Sequence, residues 1–134
     1  MVYQECRNIS TLKNDVVDIT EQVIAAIRDS GVQRGTVTVE ADSCAVGCLR
    51  LRRNSLELTK DLTREMRRLV PARINFTQEI SPEYTAGNLK YAFFGNCVTG
   101  IVRNGMLLND LNGFFLMEYD GPATRSYHVC VIGE

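Results

Sequence analysis

The stretch from Cys97 onward constrains the fold most, because strand-like segments follow one another there with little between them but tight turns. Cys97 to Val102, Met106 to Leu108, "GFFLMEY" from Gly113 and "RSYHVCVI" from Arg125 are rich in β-branched and aromatic residues. Asn104-Gly105 tolerates the positive φ angles of a tight hairpin turn, and Gly121-Pro122 breaks the next pair. An antiparallel meander is the expectation. A chain that closes this way needs a sheet as its frame, and the helices before it must pack on that sheet.

Upstream the apolar pattern alternates between strand and helix periods. "VYQECRNIS" and "DVVD", separated by "LKN", are expected to form an opening pair of strands. A helix follows, with Asp18 as N-cap, Glu21 three positions on, a stripe of Ile19, Val23, Ile24 and Ile27, and Gly31 as the stop. "GTVTVEA" alternates so that Val37 and Val39 face the core while Thr36 and Thr38 face away. In "NSLELTKDLTREMRRLVP", Leu58, Leu62, Met66 and Leu69 follow a helical face, Asn54 and Glu57 resemble a capping pair, and Pro71 closes the element. "INFTQ" is a short strand candidate. Ser81 as N-cap, Pro82 at the first helical position and Gly95 as the stop define a third helix. With no repeat or low-complexity linker, residues 1–134 read as a single α+β domain, largely antiparallel, as a sheet or sandwich.

Composition excludes some classes of function. No apolar run approaches the roughly 18 residues of a membrane-spanning helix, and "MVYQECRNIS" lacks the layout of a secretory signal, so the cytoplasm is the expected location and no membrane partner is expected. Cys6, Cys44, Cys48, Cys97 and Cys130 form an odd, scattered set that fits reduced thiols better than a disulfide framework. Between Arg50 and Arg73 stand eight basic residues against three acidic ones, so that segment is +5 within a chain of net charge −1. The acidic remainder would repel a long polyanion, which argues against a nucleic-acid partner. A solvated helix face is the simpler reading, with Asp61 pairing Arg64 and Glu65 pairing Arg68.

Chemistry gathers at "VEADSCAVGC", Val39 to Cys48, where Asp42, Ser43 and Cys44 end a strand. A nucleophilic Cys44 or Ser43 needs a base, and the one histidine, His128, lies in a strand where Tyr127, Val129 and Val131 face the other way. A surface or structural histidine accounts for it more simply. Zinc would need more than Asp42, Cys44 and Cys48, whose Cys-x3-Cys spacing has no second pair, so no metal and no cofactor is expected. Cys44 and Cys48 then read as packing residues. A third reading is a ligand cleft without catalysis, with Asp42, Ser43, Asn88, Asn112 and Glu118 as hydrogen-bonding groups and an arginine, from the 50–53 segment or Arg125, for a phosphate or carboxylate.

"DIT" at Asp18 before a helix, Ser30-Gly31 and Gly35 before a strand, "NLK" leading to Gly95, and "NGMLLNDLNGFFLMEYDGPATRSYHVCVIGE" together resemble the YjbQ-like family, also described as secondary thiamine-phosphate synthases. The resemblance implies an α+β chain of two packed sheets that assembles as a homotrimer. It also implies a site built on a His-Thr-Thr-Ala motif, a histidine before the third helix and one or two on it. In this chain Asp42, Ser43, Cys44 and Ala45 stand at the first motif, Asn88 at the histidine before Leu-Lys, Ala86 two positions earlier, and Thr77 near the remaining one. Asn109, Asp110, Leu111 and Asn112 occupy a Gly-Thr-Trp-Gln segment, while Glu118 and Asp120-Gly121-Pro122 keep the pattern.

An aspartate of ordinary pKa, about 3.9, accepts hydrogen bonds but does not relay protons near neutrality as imidazole does. The expectation is therefore an altered site: a non-catalytic or weakly active homotrimer that binds a small polar or phosphorylated molecule through Asp42, Ser43, Cys44, Asn88, Asn112 and Arg125. The alternative is an enzyme of the thiamine-phosphate synthase type, with Asp42, Ser43 and Glu118 as catalytic candidates. The apolar excess of "GMLL" and "GFFLM" points to a partner-covered face on which Phe115 or Leu116 would lie.

Overall fold

The computed structural model describes residues 1–78 and 80–134. In chain order its elements are β1 (Val2–Thr11), β2 (Val16–Asp18), α1 (Thr20–Ser30), β3 (Arg34–Ala41), β4 (Val46–Arg52), α2 (Leu56–Leu69), α3 (Pro82–Phe94), β5 (Cys97–Arg103), β6 (Met106–Leu107), β7 (Asn112–Glu118) and β8 (Ala123–Gly133). The strands form a five-stranded sheet in the order β1-β8-β3-β5-β6 and a three-stranded sheet in the order β2-β7-β4. Every pairing is antiparallel. The fold is α+β with three helices, as the sequence pattern indicates.

Strand alternation places the main core between the two sheets. Val37 and Val39 of β3 and Tyr127, Val129 and Val131 of β8 meet Val46 and Cys48 of β4 and Phe114 and Leu116 of β7, with Ile19, Val23 and Ile27 beside them. A second cluster lies on the far side of the small sheet, where Met117 and Tyr119 pack with Met66 of α2 and with Tyr91 and Phe94 of α3. From Gly113 to Glu118, β7 is therefore buried on both faces. This accounts for the apolar excess of "GFFLMEY" inside one chain: Phe115 and Leu116 are both core residues, not members of a partner surface.

The same two-sided burial corrects the expected meander. β5 and β6 do form a hairpin, and Asn104 (φ 56°) and Gly105 (φ 73°) take the left-handed conformations such a turn requires. β7 then leaves that sheet for the centre of the other, because only there can both its faces be covered. The opening strands do not pair with each other either; β1 joins β8 and β2 joins β7. β4 has no counterpart among the expected strands, since "VGCLRLR" alternates weakly. "INFTQ" is not a strand, and Ile74 is 99% exposed.

Helix boundaries follow capping chemistry. Ser81 Oγ accepts from Tyr84 N–H at 3.1 Å with Pro82 at the start of α3, as expected. Ser55, not Asn54, caps α2 through Leu58 N–H at 3.2 Å, while Asn54 takes a left-handed φ of 66° just before it. α1 starts at Thr20 with Ile19 at the cap position, one residue past the expected Asp18, whose Oδ1 still accepts from Thr20 N–H at 2.8 Å. On α2, Arg64 pairs with Asp61 and Arg68 with Glu65, which fits the solvated-face reading, and Leu69 is exposed beyond the packed face. No helix among the described residues is long and apolar enough to cross a membrane.

Candidate functional site

The loop after β3 is held at both ends by main chain. Asp42 N–H donates to Ser126 O and Tyr119 N–H donates to Ala45 O, each at 2.9 Å. This brings Ser43 over the point where β1, β7 and β8 converge. Ser43 Oγ accepts from Ala45 N–H at 3.1 Å and from Arg125 Nη1 at 3.2 Å, so its own proton is free to donate outward.

Beneath Ser43 lies a buried ion pair. Arg125 Nε and Nη2 reach the two Glu118 oxygens at 2.8 and 2.9 Å, a bidentate geometry. Thr11 Oγ1 also donates to Glu118 Oε1, and Asp120 N–H donates to Oε2 at 3.2 Å. Each carboxylate oxygen thus accepts twice, and Glu118 is only 1% exposed. The hydrogen bonds it donates to Glu118 hold the Arg125 guanidinium above its usual value, against the opposing effect of burial. A carboxylate committed in this way has no lone pair facing solvent with which to take a substrate proton.

α3 forms the other wall. The charge of Arg125 lies within electrostatic reach of the Tyr84 phenol. Seven residues along, partial burial first, then Glu40, Cys44, Cys48 and Cys97, raise the Tyr91 phenol. Asn88 sits between these tyrosines on the same helical face, and its Oδ1 is buried without a hydrogen-bond partner. The structure therefore brings Ser43, Arg125 and Glu118 together beside the loop carrying Asp42 and Cys44, with Tyr84 and Tyr91 on the Asn88 face of α3 within electrostatic reach of Arg125 and Cys44 respectively.

Other expected members fall elsewhere. Asp42 is largely exposed, its Oδ2 lying 3.8 Å from His128 Nε2 on the outer face of the large sheet. Cys44 is exposed and is not a packing residue, unlike Cys48, whose thiol burial pushes up to about 12. Asn112 opens β7, six residues from Glu118 and hence about 20 Å away. Its carbonyl accepts from Arg50, which also donates to Gly113 O at 3.1 Å and Thr99 O at 3.2 Å and stacks 4.2 Å from the Phe114 ring centroid. Arg53 pairs with Asp18 at 2.8 Å. Of the candidate arginines, Arg125 alone serves the loop. Among the described residues, no three His, Cys, Asp or Glu side chains gather closely enough to share one ion. Thr11, Tyr84 and Tyr91 escape a reading of the sequence; only the inward register of Thr11 at the end of an alternating strand hints at its part.

Comparison with known proteins places this architecture. The chain is 28% identical over 127 residues to UPF0047 protein MJ1081 of Methanocaldococcus jannaschii, covering 91% of this chain and 88% of that one. It is 24% identical to UPF0047 protein YugU of Bacillus subtilis over 125 residues, 92% of this chain and 94% of the relative. Among solved structures, a YbjQ-like protein of unknown function from Sulfolobus solfataricus superposes with a TM-score of 0.93 at 24% identity, covering 100% of this chain and 99% of that one. Hypothetical protein APE1520 of Aeropyrum pernix gives 0.87 at 18% identity, with 98% of each chain covered. The model of the family described as UPF0047 protein YjbQ-like matches residues 5–134, and the chain belongs to that family.

Proposed function

We propose that this protein binds a small polar or phosphorylated molecule between the 42–45 loop and α3, without the proton-transfer chemistry that the family's histidines would supply. The unpartnered Asn88 Oδ1 carries this reading, because a buried acceptor with nothing to accept from is costly unless a ligand donor completes it. Ser43 Oγ and the outer Nη1 edge of Arg125 supply donors nearby, suited to an oxyanion. Against catalysis stand the Glu118 carboxylate, whose oxygens are already taken by Arg125, Thr11 and Asp120, and the position of His128 on the exposed outer face of the large sheet.

The competing reading is an enzyme of the thiamine-phosphate synthase type using Asp42, Ser43 and Glu118. A synthase assay on the wild-type chain and on the Asp42→His/Asn88→His variant separates the two. The binding reading expects negligible wild-type turnover and a gain on restoring the imidazoles. Wild-type turnover that Ser43→Ala abolishes would establish the enzyme instead.

A homotrimer is part of the proposal. Ile101, Met106, Leu108 and Leu111 are exposed around the β5–β6 edge, an apolar border that a symmetric neighbour would cover. Light scattering on the wild type and on Leu108→Glu tests it. A trimer lost in the variant supports this edge as the interface, and a wild-type mass of one chain at micromolar concentration refutes the assembly.

A further inference from the structure

A second cluster of chemistry lies on the next face of α3. Glu83, Ala86 and Lys90 are spaced by three and four residues, so they share a face distinct from that of Tyr84, Asn88 and Tyr91. They line a cavity of about 250 Å³, together with Tyr119 and two cations from other elements, Lys13 after β1 and Arg67 of α2. Lys90 is only 5% exposed, and no carboxylate among the described residues forms an ion pair with it. Its stem is buried while the ammonium has no ion-pair partner among these residues, and such a partly desolvated charge is costly unless an anion neutralises it.

The cations around it are not the remnants of other pairs. Arg64 and Arg68 each find an acidic residue three positions back, but the residue three before Arg67 is Arg64, and Arg67 forms no ion pair among the described residues. Burial, then the charges of Arg67 and Lys13, lower the Lys90 pKa, which places all three within electrostatic reach of one another. Like charges gather in this way at a cost that only an anion offsets. Among the described residues Glu83, itself exposed, is the sole acid lining the cavity, so this described lining carries a net charge of +2. That matches a phosphate monoester, which carries about −1.5 to −2 near neutrality. The Ala86 and Tyr119 walls add an apolar side against which a small organic body can rest.

We propose that this cavity binds the phosphate of a small phosphate monoester, with Lys90 at its floor and Lys13 and Arg67 at its mouth. The site is separate from the 42–45 loop and stands independently of the reading given for it. Calorimetric titration of the full chain with inorganic phosphate and with glycerol 3-phosphate tests it. The expected result is a saturable site for glycerol 3-phosphate with Kd below about 1 mM that the cavity variants remove, and weaker binding of inorganic phosphate there. Lys90→Met should weaken binding at least about tenfold and Arg67→Ala about threefold, whereas Arg28→Ala, an exposed cation of α1 outside both regions, should leave it unchanged. Should Lys90→Met not fold, the exposed pair Lys13→Ala/Arg67→Ala decides in its place, with the same expected loss. The proposal is overturned if neither probe binds, or if the cavity variants bind like wild type. Loss of binding in Ser43→Ala with retention in the cavity variants would also overturn it, and would assign the anion to the loop.

Discussion

Replacing Arg125 by Met isolates the energetics of the buried pair beneath Ser43. The substitution keeps an unbranched side chain of similar reach while removing both charge-assisted bonds to Glu118, those at 2.8 and 2.9 Å. The carboxylate keeps Thr11 and Asp120 N–H but stays wholly buried and without a countercharge. Stranding one member of such a pair costs about 3–5 kcal/mol. At about 2.1 cal/mol/K per residue, 134 residues carry an unfolding entropy of about 0.28 kcal/mol/K, so Tm should fall by roughly 10–18 °C. Urea and thermal unfolding followed by far-UV circular dichroism, at one fixed protein concentration, give both numbers. The Glu118→Gln/Arg125→Met double variant should recover part of the loss, because an amide is cheaper to bury than an unpaired carboxylate. A single-variant cost below about 1 kcal/mol, or a double variant no more stable than the single, would refute the assignment of this pair as a buried, mutually dependent unit.

Cys44 and Cys48 should separate cleanly under a thiol reagent at pH 8. Cys44 is exposed and should label in the native protein, whereas Cys48, raised to about 12, holds only about one thiolate in ten thousand and should label only after unfolding; peptide mapping that finds equal rates would contradict the burial of Cys48. Lys90→Met should stabilise the unliganded protein by about 1 kcal/mol at pH 7, since it removes a buried charge beside two others. Because the folded pKa of Lys90 is lowered, the wild type regains stability as pH rises through that value toward the ordinary 10.5, so the advantage of the variant in urea denaturation should shrink over that window; an advantage that grows there would refute the sign. Elemental analysis after dialysis should find no stoichiometric zinc, and a chelator should leave Tm unchanged, because Asp and Asn oxygens replace imidazole poorly toward such ions; about one zinc per chain would refute this.

Local features were the most legible in the sequence. Val37 and Val39 face the core, Ser81, Pro82 and Gly95 bound α3, and Asn104-Gly105 turns a hairpin, because each is decided by a few neighbouring residues. Sheet membership was not legible in this way. Nothing local tells β7 to abandon β6 for β2 and β4; its two apolar faces carry that information, and they also fit an oligomer interface. The site divides along the same line. Ser43, Glu118 and Arg125 could be named from residue type and position, but Asn112 could not be excluded until β7 set it at the far end of the strand. Lys90, Lys13 and Arg67 come from α3, the segment after β1 and α2, and their gathering is a product of packing alone.

The two main-chain hydrogen bonds that clamp the 42–45 loop make no demand on the side chains between them. Evolution can therefore exchange residues 42 and 44 as one exchanges a tool in a fixed handle, leaving the sandwich undisturbed. The same freedom makes these positions grafting points: a new ligand set placed there inherits Ser43, Arg125 and the α3 wall without the fold having to be redesigned around it.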